Sequence, residues 1–158
     1  MEKQEMNQVK KLLWHWGRSD KRIVELIEQM RLAKSCIDDL YVIGHSPSID
    51  GMPRSTAMGD PVMREYERIQ QARKNFEDEI EACEKELLET QRYKAAVNQA
   101  INTLPGLEQD IIRMRYKQGH TMVYIAVKCS ISERTAYNRE ASAITALSDR
   151  IKQEAAPH

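Results

Sequence analysis

The sequence predicts an all-α chain: an N-terminal helical hairpin with a long heptad-patterned helix leading into a C-terminal helix-turn-helix. Three observations predict it. Glycine and proline are scarce, at six and five in 158 residues, and they cluster between Gly44 and Pro61. A seven-residue apolar repeat runs from Val62 to Leu104 without a glycine or proline inside it. From Leu104 to Leu147, stop and cap signals punctuate three short helical patterns. These divide the chain into a helical, coiled-coil region over 1–103 for oligomerisation or partner binding, with a loop at 44–60, a helix-turn-helix over 104–152, and a flexible tail over 153–158.

The first sixteen residues read as one helix, with Met6, Val9, Leu13 and Trp16 on one face. Trp14 lies off that stripe, which leaves it to pack on a neighbour or mark an interface. Gly17 is expected to end the helix, and Ser19 or Asp20 to cap the next. The second helix carries Ile23, Leu26, Ile27, Met30, Ala33, Ile37 and Leu40 at three-four spacing, a face that needs a covering helix. The segment from Gly44 to Asp60 breaks the pattern and reads as a loop or linker.

Asp60-Pro61 is a start signal, with aspartate as N-cap and proline in the first turn, where its missing N–H is no loss. Val62, Ile69, Phe76, Cys83, Thr90, Val97 and Leu104 form one heptad position. Tyr66, Arg73, Ile80, Leu87, Lys94 and Ile101 form the alternating one. An antiparallel hairpin with the 19–43 helix would cover this seam, and the surplus from about Leu87 onward could pair between subunits. The acidic residues from Glu77 to Glu89 read as a solvated face.

Pro105 opens the C-terminal unit. Leu107, Ile111, Met114 and Tyr116 recur at helical spacing, and Gly119 follows as a stop. Thr121 is expected to cap a short helix through Lys128 that buries Met122, Ile125 and Ala126. Ser130-Ile131-Ser132 makes a compact turn. Ser132 then caps a third helix that buries Ala136, Ala143, Ile144 and Leu147. The opposite early face of this helix shows Glu133, Arg134, Thr135, Tyr137, Asn138 and Arg139. This chemistry suits duplex DNA. The major groove admits one helix, and the first residues of that helix meet base edges. Arg134 can pair bidentately with guanine and Asn138 with adenine, while Thr135 and Tyr137 can touch thymine methyls or phosphates. Glu133 could accept from cytosine, or cap or pair with a neighbour. Thr121 and the helix it caps can offer N–H groups to phosphate. A small helical packing unit without a ligand has the same periodicity; the polar recognition face is what separates the two.

The segment from Leu104-Pro105 to Leu147 resembles region 4 of the bacterial primary sigma factors and related phage regulators. The resemblance is carried by the Leu-Pro opening, Arg113-Met114-Arg115-Tyr116, Gly119, Ile125-Ala126, Ile131 to Thr135, and Ala143-Ile144 with Leu147. It implies that Glu133, Arg134, Tyr137 and Asn138 touch a promoter element. The chain as a whole resembles the RinA/ArpU-like late-gene transcription regulators of phages of Gram-positive bacteria. That resemblance implies a sequence-specific regulator of late genes, in the sense of an activator, acting with host RNA polymerase in the bacterial cytoplasm. Met52-Pro53-Arg54-Ser55 also resembles a motif of those regulators. Arg54 and its neighbouring hydroxyls are candidates to touch phosphate or polymerase; a solvated loop is the plainer reading.

Net charge is zero, so there is no strong overall pull toward phosphate. By segment, residues 105–158 hold eight Lys and Arg against six acids, and residues 62–103 hold seven against nine. A single copy should therefore bind DNA weakly, and a homodimer or a partner is expected. Cys36, Cys83 and Cys129 lack metal-ligand spacing and fit a reducing compartment. No cofactor or metal is expected, nor any membrane span or signal peptide. His15, His45, His120 and His158 are scattered, and neither a phosphate loop nor a nucleophile motif is present, so an enzyme is not expected. Two other readings stand beside the regulator: a module that binds polymerase or an anti-sigma partner without reading DNA, and a phage protein that finds a packaging site.

Overall fold

The computed structural model describes residues 3–44 and 61–154, which form helices and short links with no strand among them. Helix α1 spans Lys3–Gly44 and α2 spans Pro61–Asn102. Helix α3 spans Gly106–Ile112 and runs into a π-helical turn, Arg113–Lys117. Helix α4 spans Met122–Lys128 and α5 spans Glu133–Glu154. The long, mostly polar helices draw their stability from packing one face rather than from propensity. The expected loop and its Met52-Pro53-Arg54-Ser55 run lie outside the described residues, as do the Asp60 cap and residues 155–158. Helix α5 continues two residues into the expected tail.

Among the described residues, 3–23 and 89–154 form one compact unit. Its core joins Val9, Leu13 and Trp16 of α1 to Val97, Ala100 and Ile101 of α2. Ile112, Tyr116, Ala143, Ile144 and Leu147 complete it. Each valine, leucine or isoleucine among them contributes roughly 1.5–3 kcal/mol on full burial. Polar bonds fix the register of the two long helices in this unit. Trp16 Nε1 donates to Asn98 Oδ1 at 2.9 Å, and the Tyr93 hydroxyl donates to the Leu12 carbonyl at 2.7 Å. The helix-turn-helix thus shares one core with the first turns of the chain, across the expected 103/104 boundary.

This core overturns two expectations. Gly17 does not end a helix: α1 passes through it without a break. A Cβ there would lie 2.7 Å from the Tyr116 carbonyl carbon and 3.3 Å from the Lys117 Cα. Glycine serves close approach here, at an intrinsic cost of roughly 1 kcal/mol relative to alanine in a helix interior. Ser19 is correspondingly no cap; it is buried mid-helix, with its hydroxyl donating to the Trp16 carbonyl at 2.6 Å. The seam beyond Leu87 is also not surplus. Thr90 is buried, and Val97, Ile101 and Leu104 lie within the chain's own core.

Helix α2 stops at Asn102, just short of Pro105, because the residue before a proline is pushed out of the helical region. Gln109 Nε2 donates to the carbonyls of Asn102 and Leu104, at 3.1 and 2.8 Å, and so satisfies acceptors orphaned at the helix end.

The described residues 24–44 and 61–88 form the second unit. Its core is thin: Leu26, Ala33 and Cys83 are buried, and Ile69, Phe76, Ile80 and Leu87 are half-buried. Cys83 Sγ donates to Gln29 Oε1 at 3.6 Å. Val62 and Tyr66, although in heptad register, are exposed. Within single helices, Arg31 pairs with Glu28 and Arg73 with Glu77, contacts that add little to stability in water.

A candidate nucleic-acid interface

The recognition unit is built from caps. Thr121 is extended, and its Oγ1 accepts from the Tyr124 N–H at 3.3 Å, which starts α4. Before it, Gly119 adopts φ +74, the left-handed geometry that glycine enters without strain. His120 stacks on Tyr124 with ring centroids 4.2 Å apart, and its carbonyl accepts from Arg115 Nη1 at 3.2 Å.

The turn between α4 and α5 is a Schellman-type stop. Ser130 takes the left-handed position at φ 56, and the Ile131 N–H reaches back to the Ala126 carbonyl at 3.0 Å. A serine there costs roughly 1–2 kcal/mol relative to the ordinary helical hand. Burial of Met122, Ile125 and Ala126 against Ile111 and Ala136 offsets it. Ser132 Oγ then accepts from the Thr135 N–H at 3.1 Å and shares a 2.7 Å hydrogen bond with the Thr135 hydroxyl.

The eight residues singled out in the sequence fall into distinct positions. Thr121, Ser132 and Thr135 are engaged as caps or with a cap. Glu133, Arg134, Tyr137 and Asn138 lie on one exposed face of the first two turns of α5. Their side chains make no hydrogen bond or ion pair within the described residues. Glu133 stands in the first turn, where a negative charge suits the helix dipole. Arg139 points elsewhere: its Nη1 lies 3.6 Å from Glu108 Oε1, whose side chain is 6% exposed.

Two buried acids that position this face, Glu140 and Glu108, were not singled out in the sequence. Glu140 is buried, and its Oε1 accepts from the Tyr116 hydroxyl at 2.7 Å. Burial, then the Glu140 carboxylate, push the Tyr116 phenol far above its ordinary range. Glu108 is buried beneath Arg139. The signal was present in the spacing, since Glu140 falls between Ala136 and Ala143-Ile144 on the apolar stripe of α5. No buried side-chain nitrogen or oxygen among the described residues lacks a partner.

The expectation for Trp14 resolves toward packing. Its ring meets Tyr116 edge-on at 5.0 Å, with the Arg115 guanidinium 6.0 Å from its centroid. Asp20 bridges Lys94 and Lys117, at 3.2 Å for the latter. Lys94 first, then Lys117, hold its carboxyl below the usual range. Cys129 is partly buried, which raises its thiol pKa. Among the described residues no group of His, Cys, Asp and Glu could hold a metal ion, and no helix is long and apolar enough to cross a membrane.

Residues 100–149 match the family model of sigma-70, region 4. That region is a DNA-binding helix-turn-helix of transcription factors, and such domains bind DNA and RNA polymerase. The match covers the end of α2, the helix-turn-helix and most of α5, and it supports a DNA-binding role in transcription. No curated protein and no solved structure matches the chain.

Proposed function

We propose that the chain is a sequence-specific DNA-binding transcription regulator of a phage, an activator of late genes that acts with host RNA polymerase. The observation that carries the DNA reading is the open face of α5. Arg134 and Asn138 sit one turn apart on a capped helix, exposed and without a hydrogen-bond or ion-pair partner among the described residues. Arginine offers the bidentate fork for guanine and asparagine the paired donor and acceptor for adenine. Tyr137, 48% exposed, flanks them, and Glu133 screens against bases that present only acceptors there. Thr121 and Ser132 hold the two helices whose ends would meet the phosphate backbone. The phage and activator assignments rest on the RinA/ArpU-like resemblance. We assign the chain no catalytic step and no cofactor, and we take a homodimer as its working form in the bacterial cytoplasm.

Selection of bound fragments from phage genomic DNA at two salt concentrations tests this reading, with Arg134→Ala in parallel. One enriched site that survives moderate salt and is lost in the variant is expected, since a bidentate pair gives about 1–3 kcal/mol of discrimination. Enrichment indifferent to Arg134 overturns direct reading by α5.

One observation favours a second reading, an interaction module. Val123 and Val127 stand one turn apart on α4, 58% and 76% exposed, beside the half-exposed Tyr124. Binding of RNA polymerase that is lost on Val127→Ser, without selection of any DNA site, would favour it.

A further inference from the structure

The zero net charge of the chain hides two opposite parts. Residues 1–23 and 89–158 carry sixteen Lys and Arg against ten Asp and Glu, a net of +6. Residues 24–88 carry eight against fourteen, a net of −6. The positive charge therefore belongs to the unit that holds the helix-turn-helix. Much of it lies outside the span that matches sigma region 4, since residues 3–23 hold six Lys and Arg and only two acids, Glu5 and Asp20.

The packing gathers these cations in one place. Trp14 and Gly17 seat α1 against the π-helical turn, through the Tyr116 ring and backbone. That turn carries Arg113, Arg115 and Lys117. On α1, Lys10 and Lys11 stand one turn before Trp14, and Arg18 stands one turn after it, so all three flank the seat. Lys11 and Arg18 are exposed and Lys10 is half-exposed. None of the three makes a hydrogen bond or ion pair among the described residues. Asp20, the nearest acid on α1, is already held by Lys94 and Lys117. From Lys117 the chain passes through Gly119 and His120 to Thr121, the cap of α4.

We propose that Lys10, Lys11 and Arg18, backed by Arg115 and Lys117, form a second DNA-binding surface that holds phosphates of the duplex flanking the bases read by α5. The inference rests on the DNA reading above and deepens it. Lysines on an exposed helix flank suit phosphate, a target that needs charge but no base geometry. An acidic protein partner would be expected to meet an apolar centre within the patch. The one exposed large apolar side chain of residues 3–23 is Trp14, 38% exposed with one edge on Tyr116 and the Arg115 guanidinium beside it, a single ring rather than an apolar centre. The strip also offsets the weak pull that the neutral whole chain implies.

The test is a salt titration of DNA binding by the full chain, using the selected site and an unrelated duplex of equal length. Wild type is compared with the triple variant Lys10→Gln, Lys11→Gln, Arg18→Gln. Glutamine keeps the helix propensity, and circular dichroism checks the fold. The variant should lose affinity equally on both duplexes. Its slope of log K against log salt should be shallower by about 2–3, near 0.9 for each phosphate contact removed. Extending the site by about one helical turn should tighten wild-type binding and leave the variant unchanged. An unchanged slope and unchanged length dependence overturn the strip alone, and loss of polymerase binding in that variant would reassign it to a protein. Failure of the wild-type chain to bind either duplex overturns the strip and the DNA reading together, whereas loss of sequence preference confined to Arg134→Ala leaves the strip standing.

Discussion

Gly17 and Tyr116 meet backbone to backbone: the α-carbon of the glycine lies against the Tyr116 carbonyl with no room for a Cβ between them. The contact joins the first turns of α1 to the π-helical turn that precedes α4. Gly17→Ala should therefore destabilise the chain although alanine is the better helix former by about 1 kcal/mol. The obstructing atoms are backbone, which cannot rotate away, so the steric loss wins and we expect a net cost of about 2 kcal/mol or more. Gly106 is the control. Nothing lies within 4 Å of a Cβ there, and Gly106→Ala should be neutral or stabilising by up to about 1 kcal/mol. Thermal unfolding of the two variants checks the pair; equal behaviour would remove the close-approach account.

Tyr116→Phe removes the hydroxyl that donates to Glu140 at 2.7 Å and leaves a buried carboxylate without its partner. A loss of about 1–3 kcal/mol is expected by denaturant titration, because the penalty is that of the orphaned acceptor. Adding Glu140→Leu to the same chain should recover part of the loss, since both polar ends are then gone. A further drop in the double variant would show that the pair is not coupled in this way.

Stability should fall at alkaline pH. Burial pushes the Tyr93 phenol up to about 12, and the Tyr116 phenol is raised further in the same direction. A raised folded-state value means that the folded chain keeps protons the unfolded chain has lost. This contribution is fully present below the ordinary phenol range near 10 and is lost as pH rises from there through 12. The free energy of unfolding, measured from pH 8 to 12, should show the decline begin near 10, with a shallower slope in Tyr93→Phe. Identical slopes in wild type and variant would contradict it.

Arg134 and Arg139, five residues apart on α5, should separate cleanly. Arg134 is exposed and has no partner among the described residues, so Arg134→Ala should change DNA preference and leave melting within about 0.5 kcal/mol of wild type. Arg139 faces the buried Glu108 at 3.6 Å and is itself half-exposed. Arg139→Ala should cost about 1–2 kcal/mol, less than for a fully buried pair because water reaches the guanidinium. A melting curve and a binding isotherm on each variant decide it; an Arg134 variant that is the less stable of the two would reverse the assignment.

Local signals were sufficient wherever the structure is local. Thr121 and Ser132 cap helices where the sequence places caps, Gly119 takes the left-handed stop, and Ala136, Ala143, Ile144 and Leu147 are buried as their spacing requires. Each depends on neighbours within one or two turns, and those neighbours are written beside it in the chain. The exposed face of Glu133, Arg134, Tyr137 and Asn138 follows from the same periodicity.

What the tertiary structure alone decided is whatever depends on residues far apart in the chain. Gly17 carries the same local signal whether it ends a helix or admits a passing backbone; only the arrival of Tyr116, about a hundred residues later, selects the second. Glu140 reads as one more polar residue until Tyr116 covers it, and Arg139 reads as part of the DNA face until Glu108 draws it aside. The seam of Val97, Ile101 and Leu104 has no partner visible in its own heptads, and Val9, Leu13 and Trp16 share one core with it. Sequence alone therefore determined the all-α class, the caps of α4 and α5 and the exposed polar face of α5. Folding determined which of those helices share a core, because burial and charge pairing are settled by contact in space, where separation along the chain has no force.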